Sequence, residues 1–316
     1  MRPAPEPVSH RGAALAAQPG PPLHSSSESD HASRGTPLSL EREYDVQLSH
    51  TIWELERAVK RGGASDTLRR SLVEAHAQHL RHLEDIAQVP RPQRSLLLLQ
   101  PRPAESVLLL PAEQSGCEDL LPLAEALHGR GWGVLASNLA YRSLDSPGHS
   151  PTYWQTVADE AENRYDVIAH YATQVAVVGI GMGALLALHL AATRRVAAVV
   201  ALFPTFGTES TWFERLRTTL RRIVLRDTST PHGWKHQRQL AAHAAQEAAG
   251  KVSVPLYLLA EDRKDRSESA RSARAVQRLA HRAATQVRML RPGESASIRD
   301  LPPAVLDEIF TFLRRK

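Results

Sequence analysis

Short apolar runs alternate with amphipathic stretches through residues 94–316, and this alternation predicts an α/β fold. Strands of a buried parallel sheet are almost wholly apolar, whereas the helices that cover them repeat apolar residues every three or four positions. The apolar runs that we predict as strands are 132–138, 175–179, 196–203, 254–260 and 285–290. The helices predicted around them are 118–131, 152–173, 182–193, 267–283 and 304–315. Elements in this order indicate a mainly parallel sheet with helices on both faces.

Two further apolar runs stand at the beginning of this region. Residues 95–100 and 106–112 lie on either side of the segment PRPAE. Short apolar runs about a proline-containing turn are typical of a β-hairpin. We therefore predict that these two strands pair with each other.

The residues before 94 follow a different pattern. Residues 1–38 are rich in Pro, Ser, Gly and Ala and contain few large apolar side chains, so we expect a disordered tail. Residues 43–90 are predicted to form a helical hairpin, because apolar residues recur there at 4-3-4 spacing: Leu48, Ile52, Leu55 and Val59. Gly62 and Gly63 break the first helix, and Ser65 can cap the second. The hairpin either packs on the main domain or offers a surface to a partner protein.

Three histidines of the second predicted helix, His76, His79 and His82, are candidate metal ligands. At 100° per residue they spread over about 120° of the helix surface, and His76 and His79 could share a face. No carboxylate or cysteine near them in the sequence clearly completes a ligand set. We therefore expect ordinary polar or interfacial histidines and no metal ion.

Composition narrows the class of protein further. The net charge of +5 permits contact with anionic surfaces, but aromatic residues are only 5% and no nucleic-acid reader motif is present. We therefore expect no specific nucleic-acid binding. The single cysteine, Cys117, cannot form an internal disulfide, which fits a reducing compartment. No signal peptide is visible, and the apolar stretch 175–192 is punctuated by glycines, so we expect a cytoplasmic protein rather than a membrane span.

Four stretches carry a resemblance to a known family. They are SVLLLPAEQSGCEDLLPLAEALHGRGWGVLASNL, VAVVGIGMGALLALHLAA, AEDRKDRSESA and RPGESASIRD. In this order they resemble the oxyanion loop with its flanking elements, the nucleophile elbow, the acid-bearing loop and the histidine loop of the α/β-hydrolase superfamily, in its carboxylesterase and monoacylglycerol-lipase branch. The resemblance implies an α/β-hydrolase-like domain over 94–316.

The resemblance also implies the positions of a catalytic triad, and these have degenerated. The family's elbow is G-x-S-x-G, because its strained turn leaves no room for side chains on either side of the nucleophile. Gly179 and Gly183 fit the flanking positions, but Gly181 stands at the nucleophile position, followed by Met182. Ser295 aligns with the family's histidine, and the last histidine of the chain, His281, precedes the last predicted strand. The acid position falls near Asp262 or Asp265.

The predicted oxyanion loop also departs from the family. Pro111 and Ala112 replace the usual His-Gly, and Glu113 follows them. Proline has no backbone N–H, and a carboxylate beside a developing oxyanion would oppose its charge. We therefore interpret the chain as a pseudoenzyme of the hydrolase fold, without an intact triad.

Residues 205–250 stand where the family has a lid. Within them, residues 210–227 carry Trp212 and Phe213 among five arginines and are predicted to form a basic amphipathic helix. Such a helix can cover a lipophilic or acyl ligand, and peripheral membrane contact is a less favoured role. The plainer interpretation is a lid helix with a solvated arginine face.

We favour a non-catalytic protein that binds a partner protein, through the 43–90 hairpin or the lid, or a lipophilic ligand, without a cofactor. One alternative is an esterase-like hydrolase with relocated catalytic residues, for which Glu113, Cys117, Asp262 and Ser295 are candidates. Dinucleotide binding is a weaker alternative. The turn reads G-x-G-x-G rather than G-x-G-x-x-G, and no acidic residue ends the next predicted strand.

Overall fold

A computed structural model describes residues 37–62, 65–102, 104–113, 115–139, 154–206, 232–261, 267–291, 294 and 297–315. The chain divides into two units, Met1–Glu43 and Tyr44–Lys316. Of the first unit the structure describes only residues 37–43, which are helical. Most of the predicted disordered tail therefore lies outside the described residues, although its last two residues, 37 and 38, already belong to a helix.

Seven strands form one sheet in the order β1-β3-β2-β4-β5-β6-β7. Their bounds are β1 Leu96–Leu98, β2 Ser106–Leu110, β3 Gly133–Ala136, β4 Val175–Ile180, β5 Val199–Leu202, β6 Leu256–Glu261 and β7 Thr285–Leu290. Strands β2 to β7 pair in parallel, and only β1 runs antiparallel to its neighbour. The prediction of a mainly parallel sheet is therefore confirmed.

Eight α-helices are described around this sheet. They are α1 Pro37–Lys60, α2 Asp66–Ile86, α3 Cys117–Gly129, α4 Trp154–Ala169, α5 Met182–Thr193, α6 His232–Ala249, α7 Glu268–Leu279 and α8 Pro303–Arg314. Gly62 has a left-handed φ of +86° just after α1, and the Ser65 hydroxyl accepts a hydrogen bond from the Leu68 N–H to cap α2. None of the described helices is long and apolar enough to cross a membrane.

Two apolar layers pack on the two faces of the sheet. Alternate residues of β4 point into them, with Val175 and Val177 in one layer and Ala176 and Val178 in the other. The first layer is completed by residues of α4, α5, α6 and α7, and the second by residues of α3 and α8. Every residue of β4 is buried as a result, which explains why its sequence shows no polar alternation.

The predicted hairpin between residues 95–100 and 106–112 is wrong. Strand β1 pairs antiparallel with β3, so that Leu97 lies opposite Leu135. Strand β2 pairs in parallel with β3 on one side and with β4 on the other. Because both edges of β2 are taken by parallel partners, β1 cannot pair with β2, and it joins the sheet at the outer edge of β3.

The α2 helix packs on the sheet domain. It buries a stripe of apolar side chains, namely Leu72, Val73, Ala75, Ala77 and Leu80. The Arg70 guanidinium donates to the Gln100 carbonyl over 3.3 Å. The α1 helix is less covered, since Tyr44, Val46 and Trp53 are each about half exposed or more. Of the two roles considered for this hairpin, packing on the main domain is thus the one that the structure shows for α2.

Candidate functional site

The strand-to-helix turn at Gly181 is the centre of the candidate site. It joins the carboxyl end of β4 to the first residue of α5, Met182. Gly181 has φ +54° and ψ −112°, a conformation that side chains rarely adopt. Its N–H donates to the Leu202 carbonyl over 2.9 Å, and its carbonyl accepts the Ala184 N–H over 3.2 Å. Both bonds hold the turn tightly against β5 and α5.

The two flanking glycines leave no space for a side chain. A Cβ on Gly179 would lie 2.0 Å from the Gly183 carbonyl oxygen, and a Cβ on Gly183 would lie 2.3 Å from the Leu110 carbonyl oxygen. Both clashes are with backbone, which cannot move aside as a flexible side chain can. The turn therefore folds against itself and against the end of β2.

Gly181 differs from its flanking glycines. Among the described atoms, a Cβ on Gly181 would meet only Ala112 within 4 Å, at 3.3 Å from its Cβ. That is a tight contact but not a prohibitive one. The restriction at Gly181 therefore comes from its backbone conformation rather than from lack of space.

The loop after β2 lies directly beside this turn. Pro111 is buried, while Ala112 and Glu113 are partly buried. The Pro111 carbonyl oxygen lies 2.6 Å from where a Gly183 Cβ would stand. The structure thus brings Pro111 and Ala112 beside the glycine turn. Cys117 begins α3 at the far end of this loop and is only 3% exposed.

Met182 begins α5 and is buried. The first N–H groups of a helix have no partner within the helix and carry a partial positive charge. The end of α5 that faces the turn therefore attracts an anion or a polarised carbonyl. This property belongs to the backbone and is retained whatever residue stands at 181.

The remaining predicted triad positions lie outside the described residues. Strand β6 ends at Glu261, so Asp262 is the next residue and Asp265 the fourth after the strand. Strand β7 ends at Leu290, and Ser295 follows that strand. His281, the last histidine of the sequence, lies in an exposed turn before β7, with its Nδ1 atom 2.9 Å from the Leu279 carbonyl oxygen.

The predicted 205–250 lid is described at residues 205–206 and 232–250. Trp212 and Phe213 lie outside the described residues. The alanine-rich second half forms α6, whose Ala241, Ala245 and Ala249 are buried in the layer that also contains α5. Because these small side chains let α6 approach α5 closely, this part of the predicted 205–250 lid is packed into the domain.

Sequence reasoning missed Phe203, which follows β5 beside the turn. It has a left-handed φ of +49°, which is a genuine outlier for a bulky residue. Its N–H donates to the Leu259 carbonyl over 2.7 Å, while the preceding carbonyl, Leu202, accepts from Gly181. Strained residues cluster at functional sites. No sequence signal pointed to it, since Phe-Pro predicts extended backbone.

One possible metal-binding group is present in the part of the chain that the structure describes. It consists of Glu56, His76 and His170. His170 stands five residues before β4 begins, whereas Gly181 follows its last residue directly. The two places are therefore at opposite edges of the sheet, about 20 Å apart along the strand.

The sheet, its covering helices and the glycine turn at the carboxyl end of β4 define a protein of the α/β-hydrolase class. Residues 126–312, more than half of the chain, match the Alpha/beta hydrolase family. The chain therefore belongs to the α/β-hydrolase family. Among curated proteins no sequence matches it.

Solved structures support the same fold. A lipolytic enzyme from the metagenome-derived LipS and LipT pair shares 14% identity at a TM-score of 0.58, covering 72% of this chain and 100% of its own. The monoacylglycerol lipase of Paleococcus ferrophilus shares 17% identity at a TM-score of 0.50, covering 69% and 98%. Est1E from Butyrivibrio proteoclasticus shares 12% identity at 0.50, covering 70% and 94%. Identities this low show the fold alone.

The dinucleotide-binding alternative does not fit this fold. When the six parallel strands β2 to β7 are renumbered 1 to 6 along the chain, they lie in the sheet in the order 2-1-3-4-5-6. The dinucleotide-binding fold has the order 3-2-1-4-5-6. The turn at Gly181 is therefore better interpreted as the elbow of a hydrolase fold.

Proposed function

We propose that this chain is a non-catalytic α/β hydrolase that acts by binding a lipophilic ligand or a partner protein. The observation that carries the proposal is Gly181. It occupies the turn where the family places its nucleophile, and it has no side chain to attack an ester.

The positions where the family has its general base and its oxyanion loop support the same proposal. No histidine follows His281 in the sequence, so the loop after β7 offers no imidazole as a general base. Pro111, beside the turn, cannot donate a backbone hydrogen bond to an oxyanion. Loss of the nucleophile together with its base typically removes about 10⁴–10⁶ of rate. The glycines that only shape the turn, Gly179 and Gly183, are retained.

Retention of the turn supports a binding role. Ligands of open α/β sheets bind at the carboxyl ends of the strands, which is where the Gly181 turn and the Ala112 loop meet. The apolar Trp212 and Phe213 of the predicted lid favour a lipophilic ligand. A partner protein would instead use the exposed residues of α1, among them Val46 and Trp53.

The decisive experiment measures hydrolysis of short- to long-chain nitrophenyl esters by the purified chain, alongside labelling with a serine-reactive fluorophosphonate. A lipolytic enzyme of the same fold serves as positive control. We expect neither turnover above background nor label. Turnover with label would mean that a serine elsewhere in the chain acts as nucleophile, and the proposal would be wrong.

A second candidate is a hydrolase with relocated chemistry, favoured by the partly buried carboxylate of Glu113 one residue beyond Ala112. It predicts turnover without fluorophosphonate label, and loss of that turnover in Glu113→Gln. Cys117 is a poor nucleophile in this setting, because it is 3% exposed and packed among apolar side chains. Insensitivity of any turnover to iodoacetamide would separate Glu113 from Cys117.

The binding role has its own test, a titration of the chain with a fluorescent fatty acid. We expect saturable binding that weakens in Ala112→Phe, because a phenyl ring at this position would fill the space in front of Gly181. Ala284→Phe, at an exposed position away from the turn, is the matched control. Equal affinities of the two variants for the fatty acid would contradict binding at the turn and would show that the ligand binds elsewhere.

A further inference from the structure

Three helices bring one carboxylate and two imidazoles together at the amino-terminal edge of the sheet. Glu56 lies on α1, His76 on α2, and His170 directly after α4. One ligand atom from each lies within 4.8 Å of the other two. All three side chains are partly buried, so solvent is partly excluded from the space between them.

The closest pair in this group already has the spacing of metal ligands. His76 Nε2 lies 3.3 Å from Glu56 Oε1. Two ligand atoms on one tetrahedral zinc ion, each bound at about 2.0–2.1 Å, lie about 3.4 Å apart. His76 Nε2 is buried and makes no hydrogen bond of acceptable geometry with any described residue. A metal ion bound between the two atoms would satisfy the ring nitrogen and the carboxylate oxygen together.

Burial and neighbouring charges shift the pKa values of both imidazoles. Burial is the main cause that lowers the pKa of His76, and the Glu56 carboxylate opposes it. Burial likewise lowers the pKa of His170, where Glu56 and Asp166 oppose it and Lys60 and Arg69 add to it. The second Glu56 oxygen lies 3.6 Å from Lys60 Nζ, which leaves the first oxygen to face His76.

We propose that Glu56, His76 and His170 bind one divalent transition-metal ion of the zinc type. Two imidazoles and one carboxylate are a ligand set that zinc accepts, with a water molecule in the fourth position. The ion links three helices, so it fixes α1 and α2 to the end of α4. The proposal is independent of the one made for Gly181, because the two sites are at opposite ends of β4.

His79 and His82 are not part of this group. His79 Nδ1 lies 3.5 Å and His82 Nε2 lies 3.7 Å from the same oxygen of Asp45. The three histidines of α2 are thus divided between two acidic partners, Glu56 for His76 and Asp45 for His79 and His82. His79 therefore provides a matched control, on the same helix and three residues from His76.

The test uses the full chain with any affinity tag removed and with metal stripped by EDTA. Zn²⁺ is titrated by calorimetry into the wild type and into Glu56→Gln, His76→Gln, His170→Gln and His79→Gln. We expect one Zn²⁺ per chain in the wild type and in His79→Gln. Each of the three ligand variants should bind at least about tenfold more weakly. Zn²⁺ should also raise the melting temperature of the wild type, but not that of the ligand variants.

Two outcomes would overturn the proposal. One is a wild type that binds no Zn²⁺. The other is a His79→Gln variant that loses as much affinity as His76→Gln, which would place the ion at Asp45. Circular dichroism of the metal-free variants shows whether each is folded. If a ligand variant fails to fold, X-ray absorption of the zinc-loaded wild type decides, since sulfur ligation or a lack of imidazole scattering would exclude this ligand set.

Discussion

At the level of single residues, the three glycines of the β4–α5 turn are required for different reasons. Gly179 and Gly183 are needed because backbone oxygens occupy the space of a Cβ, at 2.0 Å and 2.3 Å. Gly181 is needed because of its φ of +54°. Among the described atoms, a Cβ at this position would meet only Ala112, at 3.3 Å from its Cβ. Steric exclusion and backbone preference have different costs, so the two explanations can be separated by mutation.

Alanine substitutions should therefore fall into two classes. Gly179→Ala and Gly183→Ala should each lower the free energy of unfolding by about 3 kcal/mol or more, because backbone must shift to relieve the clash. Gly181→Ala should lower it by less, about 1–3 kcal/mol, the cost of holding a residue with a Cβ at φ +54° and ψ −112°. Urea denaturation measures all three. Gly129→Ala, in an exposed position with nothing within 4 Å, is the control and should be neutral or stabilising.

The same position carries a prediction on activity. Gly181→Ser restores the family's nucleophile but not its base, because no histidine follows β7 in the sequence. We expect neither ester hydrolysis nor fluorophosphonate labelling from this variant. Labelling of the introduced serine alone would reveal a base from another part of the chain, and it would turn attention to residues 262–266.

The residues also show what sequence can and cannot predict about a site. The Gly179, Gly181 and Gly183 turn could be predicted, because its three glycines stand within five consecutive residues, although the backbone that excludes a side chain at Gly183 belongs to Leu110 of β2. The Glu56, His76 and His170 group could not, because His170 is 94 positions away from His76 and the tertiary fold alone brings them together. The spacing of the histidines within α2 therefore could not indicate Glu56 or His170 as members of the group.

At the level of elements, periodicity predicted whether each element is a helix or a strand better than it predicted which strands pair. The apolar runs in β2 and β4 predicted buried strands correctly, and helices α3, α5 and α8 begin and end within two residues of the predicted bounds. The predicted pairing of β1 with β2 was wrong, because a strand can pair only with a strand that still has a free edge. Both edges of β2 are taken, by β3 and β4, and the local turn signal at PRPAE carries no information about that.

A buried carboxylate connects α2 to the strand region. Glu84 is 5% exposed and accepts hydrogen bonds from the Ser95 N–H over 2.9 Å and from the Ser95 hydroxyl over 2.7 Å. The Ser95 Oγ in turn accepts the Asn138 N–H over 2.8 Å. One side chain of α2 thereby orders the segment before β1 and the residues after β3.

Removal of this side chain should be costly. Glu84→Ala leaves the Ser95 N–H without its acceptor in a half-buried place, and bonds to a charged group contribute about 1.5–3 kcal/mol. We expect a loss of about 2–3 kcal/mol in the free energy of unfolding, measured in urea. Glu74→Ala removes a half-exposed ion pair with Arg70 on the same helix and should cost less than about 0.5 kcal/mol. Equal losses in the two variants would contradict the anchoring role of Glu84.

At the level of the whole molecule, the question is whether α1 and α2 are an appendage or part of the fold. The α2 helix buries Leu72 and Val73 completely and Leu80 almost so. Burial of three such side chains contributes about 5 kcal/mol or more, at roughly 2 kcal/mol each. A domain of this kind has a total stability of only about 5–15 kcal/mol. The helices should therefore be necessary to the fold rather than separable from it.

Deletion of residues 1–90 tests this directly. The truncated chain loses α2, the Glu84 anchor and the cover over α4, so we expect aggregation or a large drop in melting temperature. Deletion of residues 1–36 alone is the matched control and should leave the melting temperature unchanged, because that segment has few large apolar side chains to bury. A soluble 91–316 chain that melts like the full chain would instead mean that α2's buried face is dispensable. The hairpin would then be a separable module, and binding of a partner protein through it would become the better explanation of why the chain carries it.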